Sequence, residues 1–296
     1  MEHRSAFIAV MGSPNVGKST LVNRIVGEKV AIVSDKAQTT RSRIVGIFST
    51  PEDQMVFLDT PGVHTPRTKL GEYMVKTAMG ALEDVDAALL VVDAQHGVGP
   101  RDEALIEKLL SYGLPVLAAV NKGDAAGPDK SRACADKLIA LGVPSDSIYV
   151  ISARTGAGVP GLFSELRAYL KPGPRYYPGD EYTDQSERVM AAEIIREKAL
   201  QLLREEVPHG VGVRIERMEA RPGGSMTDVE AVLLCERDGH KGIIIGRGGD
   251  MLKRIGTEAR RDLEKLLDAK VYLKLFVRVE ENWRDRERVL KELGYQ

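Results

Sequence analysis

Cysteine is nearly absent from this 296-residue chain: Cys134 and Cys235 are the only two. That excludes a disulfide framework and a cysteine-rich metal site, and suits a reducing cytosol. The five histidines, His3, His64, His96, His209 and His240, never fall at the spacing of a metal-binding pair on a helix or hairpin, so structural or surface roles are expected of them. Neither sign of charge prevails, with 42 basic and 43 acidic residues, and the total calls for no polyanionic partner. No apolar run approaches bilayer length, and the leading "AFIAVMG" is too short for a secretion signal. The expectation is a monomer in the cytoplasm, with peripheral contact at the inner face of the cell membrane left open.

Charge is unevenly spread. From Glu181 to Glu236 there are 7 basic and 12 acidic residues, whereas Lys241 to Arg278 has 10 and 5. Through the first 170 residues short apolar runs ("AFIAVM", "QMVFLDT", "AALLVVDA", "LPVLAAVNK", "SIYVIS") alternate with amphipathic stretches. That is the pattern of a mostly parallel sheet covered by helices on both faces, an α/β domain. It closes with "LFSELRAYL", whose Leu162, Phe163, Leu166, Tyr169 and Leu170 share one helical face. Next comes "KPGPRYYPGDEY", with three prolines and two glycines in twelve residues, which reads as a linker. We therefore divide the chain into residues 1–172, a linker at 173–184, and residues 185–296. The last part reads as an amphipathic helix, two strands ("VGVRIERME", "DVEAVLLCE"), a glycine loop preceded by the apolar run "KGIII", a second helix and a third strand ("VYLKLFVRV"), an α+β order. By apolar content alone "KGIII" suggests a strand.

Gly12, Gly17, Lys18 and Ser19 satisfy G-x-x-x-x-G-K-[ST] between a strand and a helix. Such a loop, here Gly12, Ser13, Pro14, Asn15, Val16, Gly17, Lys18, Ser19 and Thr20, turns backbone amides inward around phosphate oxygens. Lys18 supplies a charge to the terminal phosphates and Ser19 a hydroxyl for Mg²⁺. "DTPG" (Asp59, Thr60, Pro61, Gly62) ends one strand, placing Asp59 to hold magnesium through water and the Gly62 amide to sense a γ-phosphate. "NKGD" (Asn121, Lys122, Gly123, Asp124) ends another, and "SAR" (Ser152, Ala153, Arg154) a third. Carboxyl ends of strands are where open α/β sheets bind ligands.

Over about residues 5–170 this resembles the Ras-like P-loop GTPases related to translation factors. The resemblance implies GTP or GDP with Mg²⁺. It also implies that Asp124 accepts two donors of guanine, that Asn121 and Lys122 brace base and phosphate loop, and that the Ala153 amide meets the base O6. "AQTTRSR" matches the first switch of one branch, where Thr40, with Thr39 as the alternative, completes the magnesium shell. Ras-like enzymes carry a water-positioning glutamine where this chain has Val63, so slow intrinsic hydrolysis is expected. In potassium-activated relatives the residue matching Asn15 helps hold a K⁺, and the same is expected here. Lys18, Thr40, Gly62 and Asn15 are thus the candidate catalytic groups, and His64 is read as an exposed switch residue rather than a base.

"GRGG" (Gly246, Arg247, Gly248, Gly249) lacks the lysine and hydroxyl of a nucleotide loop. Alone it reads as a glycine turn capping a helix. With Arg247, Lys241, Lys253 and Arg254 around it and Ile243, Ile244 and Ile245 beside it, it has the parts to clamp a single-stranded nucleic acid backbone. The order of elements and "IIIGRGGDMLKRIG" resemble a type II KH domain over about residues 186–280, which makes "KGIII" the end of a short helix instead. A single Ras-like domain followed by such a module, with "ENWRD" near the end, resembles the Era family of bacterial GTPases. The resemblance implies nucleotide-gated binding to the 3′ end of 16S rRNA and a part in 30S subunit maturation. Two other readings are an RNA-binding assembly chaperone with GTP as a structural ligand, and a tRNA-modifying GTPase. The latter resemblance lacks its C-terminal cysteine motif, since the chain ends in "ELGYQ". Trp283 reads as a packing anchor, or as a residue that stacks on RNA.

Overall fold

The computed structural model describes residues 2–36 and 38–295; Ala37 of "AQTTRSR" lies outside them. The chain divides into two compact units. The first holds Met1–Ala31, Thr40–Thr65 and Met74–Asp184, and the second Ile32–Thr39, Pro66–Tyr73 and Gln185–Gln296. No helix among the described residues is long and apolar enough to cross a membrane.

The elements run β1 (Arg4–Met11), α1 (Lys18–Val26), β2 (Ile44–Ser49), β3 (Asp53–Asp59), α2 (Lys69–Gly80), β4 (Ala87–Asp93), α3 (Pro100–Ser111) and β5 (Val116–Asn121). They continue with α4 (Gly123–Ala126), α5 (Pro128–Ala140), β6 (Ile148–Val150), α6 (Val159–Leu166) and β7 (Lys171–Pro172). The sheet order is β2-β3-β1-β4-β5-β6, with β2 antiparallel to β3 and β7 antiparallel to β1; the other pairings are parallel. Because side chains alternate along a strand, each central strand feeds two cores. Ile8, Val10, Leu89 and Val91 meet Leu21, Val22 and Ile25 of α1 and Leu162 and Leu166 of α6 on one face. Ala9, Met11, Leu90 and Val92 meet Ala78 of α2, Leu105 and Leu109 of α3 and Leu138 of α5 on the other. The helix in "LFSELRAYL" stops at Leu166 and tightens into a 3₁₀ turn, Arg167–Tyr169, yet Leu162, Phe163, Leu166, Tyr169 and Leu170 all pack on the core beneath α1 and α6. Residues 173–184, read as a linker, are bonded to the first unit. The Gln54 side-chain carbonyl accepts from the Tyr176 and Tyr177 amides at 2.9 and 3.0 Å, and the Ile47 amide of β2 donates to the Tyr182 carbonyl at 2.8 Å.

In the second unit α7 (Glu187–Leu202), β8 (Gly212–Ala220), β9 (Met226–Cys235), α8 (Asp238–Ile245), α9 (Asp250–Leu266), β10 (Lys270–Val279) and α10 (Glu287–Glu292) follow in order. The sheet order is β10-β9-β8, with β9 antiparallel to β8 and parallel to β10. One face of it, through Val213, Val229, Ala231 and Leu233, packs against Ile195 and Ala199 of α7, Ile244 of α8 and Ile255, Ala259 and Leu263 of α9. "KGIII" is therefore helical, and its apolar content misleads: only Ile244 enters the core, while Ile243 is half exposed. The Ser186 hydroxyl caps α7 by accepting from the Val189 amide.

Arg196 and Glu197 of α7 are 1% and 2% exposed, and charges so deep require partners. Arg196 is paired with Glu193 and donates to the Thr39 carbonyl. A Glu197 carboxylate oxygen accepts from the Val33 amide at 2.9 Å, and the Gln201 amide group donates to the Val33 carbonyl at 3.0 Å.

Candidate functional site

The phosphate loop leaves β1 and enters α1 through Gly17, whose φ of +100° is in the left-handed region. A Cβ on Gly12 would lie 2.3 Å from the Val91 carbonyl oxygen, and one on Gly17 2.3 Å from the Asn121 amide nitrogen. Both positions thus exclude side chains, and the loop main chain is free to curl. Lys18 is 6% exposed; its ammonium donates to the Gly12 and Ser13 carbonyls, at 3.0 Å each. Burial lowers its pKa to about 8, against the attraction of Asp59 and Asp102. Burial also raises the Asp59 carboxyl to about 6, opposed by Lys18 and the Ser19 hydroxyl.

Ser19 Oγ donates to Asp59 Oδ2 at 2.6 Å and lies 2.9 Å from Thr40 Oγ1. The second oxygen of Asp59, Oδ1, is buried with no hydrogen-bond partner. An unpaired carboxylate oxygen beside two hydroxyls is the hard-oxygen donor set that Mg²⁺ selects, so the three residues fit that ion. The hydroxyl of Thr39 turns instead to the Lys36 carbonyl, 2.6 Å away. Of the two threonines, Thr40 is the one brought to Ser19.

Gly62 is pressed against the loop, where a Cβ would come within 2.6 Å of the Pro14 backbone, and the next amide, Val63, donates to the Gly12 carbonyl at 3.3 Å. Val63 itself packs on the core, and His64 is half buried with its ring nitrogen Nδ1 2.9 Å from the Gly62 carbonyl. Asn15 is exposed at the loop crest with φ +64°. Val16 and Pro61 are buried, Thr20 is half buried, and the buried Thr60 hydroxyl donates to the Val10 carbonyl at 2.8 Å, which makes Thr60 a brace of β1 and β3.

At the base end Asn121 is 2% exposed and bridges two loops. Its amide nitrogen donates to the Val16 carbonyl, and its oxygen accepts from the Ala153 amide, both at 2.8 Å. The Ala153 amide expected at the base is thus engaged by Asn121. Lys122, in a left-handed conformation at φ +63°, places its ammonium 2.6 Å from Asp93 Oδ2. Asp124 lies 2.5 Å from the Arg154 guanidinium; hydrogen bonds from Ser152 and then Arg154 hold its carboxyl below the usual range, ionised and able to accept from a base.

Four residues that the motifs do not contain complete the arrangement. Asp102 accepts from the Ser13 hydroxyl at 2.5 Å and from the Gly99 amide at 3.1 Å, joining the phosphate loop to the start of α3. Asp93, which ends β4, holds Lys122. The Asn23 and Arg24 side chains of α1 bond the loops on either side of it. Only Asp93 had a signal, a carboxylate ending an apolar strand next to the strand of "NKGD".

In the second unit the glycine loop leaves α8 with Gly246 at φ +75°, where a Cβ would lie 2.8 Å from the Met251 backbone nitrogen. Gly248 and Gly249 also have positive φ, but space around them is open, so a ligand backbone can approach. Gly249 starts α9, whose amino-terminal dipole favours an anion there. Arg247, Lys253 and Arg254 are exposed and Lys241 and Ile245 half buried about this turn. Trp283, in contrast, is fully buried and its indole nitrogen donates to the Gly210 carbonyl at 2.8 Å, which makes it a packing anchor and removes it from any stacking role.

Comparison with known proteins agrees with both halves of this geometry. Residues 7–122 match the family described as 50S ribosome-binding GTPase, and residues 206–284 match the KH domain. The GTPase Era of Alkaliphilus metalliredigens is 46% identical over 296 residues, covering all of both chains. That of Lacticaseibacillus paracasei is 49% identical over 294 residues, 99% of this chain and 97% of its own. Among solved structures, Era in complex with MgGDPNP and nucleotides 1506–1542 of 16S ribosomal RNA is 39% identical, with a TM-score of 0.94 and 99% of each chain covered. With its phosphate loop, its magnesium-type oxygens and its KH glycine turn in one chain, this protein belongs to the Era family of GTPases.

Proposed function

We infer that this chain binds GTP with Mg²⁺, hydrolyses it, and uses its second unit to bind the 3′ end of 16S rRNA during assembly and maturation of the 30S subunit, in the cytoplasm or peripherally at the inner face of the membrane. The observation that carries the nucleotide half is the meeting of Ser19, Thr40 and the unpaired oxygen of Asp59 beside the buried Lys18. Mg²⁺ held by those three residues would place positive charge on the phosphate oxygens as negative charge moves during transfer.

The chain's own groups do the rest. The inward-turned loop amides and Lys18 bind and orient the triphosphate, and the amide of Gly62 meets its terminal group. Asp124, kept ionised, selects guanine, because adenine would leave that carboxylate facing no donor. Val63 has no atom with which to orient water, so intrinsic turnover is slow, and we assign to Asn15 a share in holding a K⁺ that supplies added positive charge. The KH glycine turn, with Arg247, Lys253 and Arg254, holds the sugar-phosphate strand, and Ile245 packs against bases.

Single-turnover hydrolysis of GTP, in KCl and in NaCl, with and without an oligoribonucleotide of the 16S 3′ end, tests this reading. The expected result is slow turnover that rises with RNA and is faster in KCl. Tight GTP binding with no hydrolysis under any of the four conditions would overturn the enzymatic part, and equal rates in the two salts the K⁺ assignment.

A further inference from the structure

Helix α1 is known from its first turn, where Lys18 and Ser19 face the phosphates. Its second turn carries two consecutive polar side chains that each reach out to a different loop. Asn23 makes three hydrogen bonds to the main chain: its amide nitrogen donates to the Ala31 carbonyl at 2.7 Å, and its oxygen accepts from the Val30 and Ala31 amides at 3.0 and 2.9 Å. The chain that leaves Ala31 reaches Thr40 nine residues later. Arg24, one position on and so about 100° around the helix, donates from Nε to the Ala153 carbonyl at 2.6 Å and from Nη2 to the Arg154 carbonyl at 2.5 Å. Those carbonyls flank the amides and side chains at the base end of the site.

Each loop also has main-chain bonds of its own, which for the turn after α1 is the Val30 amide on the Glu28 carbonyl at 3.1 Å. The turn after β6 is closed by the Gly156 amide on the Ser152 carbonyl at 2.8 Å and by the Thr155 amide on the Ser152 hydroxyl at 3.1 Å. The end of α1 is closed by the Gly27 amide on the Asn23 main-chain carbonyl at 2.9 Å. The side chains therefore set where the two turns sit relative to α1. Gly156 leaves room for this, since a Cβ there would lie 3.1 Å from the Arg24 guanidinium. The chemistry of each residue matches its task. An amide side chain offers the donor and acceptor that two successive peptide groups need, and a guanidinium fork spans two carbonyls that a lysine ammonium reaches only one at a time.

We propose that Asn23 and Arg24 are positioning residues that divide the nucleotide site between them, Arg24 fixing the base-binding loop and Asn23 fixing the root of the segment that brings Thr40 to the metal. This rests on the nucleotide-site reading given above. Base affinity then depends on Arg24 in every nucleotide state, whereas Asn23 matters where Thr40 must be in place, in the hydrolysing complex.

The test is a pair of rate constants measured on the full chain: dissociation of ribose-labelled fluorescent GDP, and single-turnover hydrolysis of saturating GTP with Mg²⁺. Arg24→Ala should speed GDP dissociation about tenfold, from the loss of two charge-assisted bonds, with hydrolysis within about twofold of wild type; Arg24→Lys should recover part of the loss. Asn23→Ala should slow hydrolysis about tenfold and leave GDP dissociation within about threefold. Circular dichroism melting of each variant identifies any that fails to fold, and Arg24→Lys and Asn23→Asp then carry the same comparison. If both constants change by the same factor in both variants, or neither changes, the division of labour is wrong. If wild-type protein holds no GDP at all, the nucleotide-site reading falls as well, so the two failures are distinguishable.

Discussion

Ser19 and Asp59, 40 positions apart, are joined by a hydrogen bond of 2.6 Å, and the Thr40 hydroxyl stands 2.9 Å from the same serine oxygen. The neighbouring threonine points elsewhere, to the Lys36 carbonyl. Thr40→Ala should therefore lower single-turnover GTP hydrolysis by on the order of 10², the usual scale for losing one group that stabilises transition-state charge. Thr39→Ala should change it several-fold at most. Equal losses would show that the two hydroxyls exchange roles in the working complex.

The raised carboxyl of Asp59 gives a pH dependence with a definite sign. Burial favours the neutral acid, so Asp59 favours the folded chain most below the ordinary value of 3.8, and this contribution is lost as pH rises through about 6. Affinity for Mg²⁺ runs the other way, because only the ionised form holds the cation. Magnesium-dependent GTP binding, measured by titration calorimetry, should weaken as pH falls through about 6, and Asp59→Asn should be weak at every pH.

Asp124→Asn should shift preference from guanine to xanthine nucleotides, since an amide presents a donor where the carboxylate only accepts. Competition against labelled GDP checks it: GTP should lose at least tenfold in affinity, with xanthosine triphosphate gaining.

The KH glycines are not equivalent. At Gly248 a side chain meets open space, whereas at Gly246 it collides with the Met251 backbone. Gly248→Asp should abolish binding of the 16S 3′-end oligonucleotide and lower the melting temperature by only a few degrees, the cost of a left-handed side chain being about 1 kcal/mol. Gly246→Asp should lose both RNA binding and stability, read by filter binding and thermal melting.

Trp283 is the single tryptophan, fully buried and hydrogen-bonded to Gly210. Its fluorescence should report unfolding of the second unit alone. Trp283→Ala should cost about 3–5 kcal/mol in denaturant titrations followed by circular dichroism, from the lost packing of a large core residue.

The nucleotide motifs were legible because phosphate, magnesium and guanine each demand particular atoms at particular strand ends. Short motifs such as "GSPNVGKST" and "NKGD" carry those demands in consecutive residues. Alternation of apolar runs gave the two-faced sheet for the same local reason. Asn23, Arg24 and Asp102 left no such trace, since one polar side chain in an amphipathic helix looks like solvent-facing decoration until its partner, up to 130 positions away for Arg24, is brought beside it. The three isoleucines before Gly246 show the opposite limit. Apolar content without a period cannot tell a buried strand from a helix that hides one side chain in three, and the fold resolved it in favour of the helix.

The bond from the Ile47 amide to the Tyr182 carbonyl bears on where an amino-terminal fragment can be cut. β2 is an outer strand, and its free side is a template on which a second molecule could pair. The segment ending at Asp184 takes up a β2 amide on that side through the Tyr182 carbonyl. A fragment cut after Pro172 would bare that amide and tend to self-associate into insoluble material, whereas one cut after Asp184 keeps the bond and should remain dispersed at the concentrations that calorimetry needs.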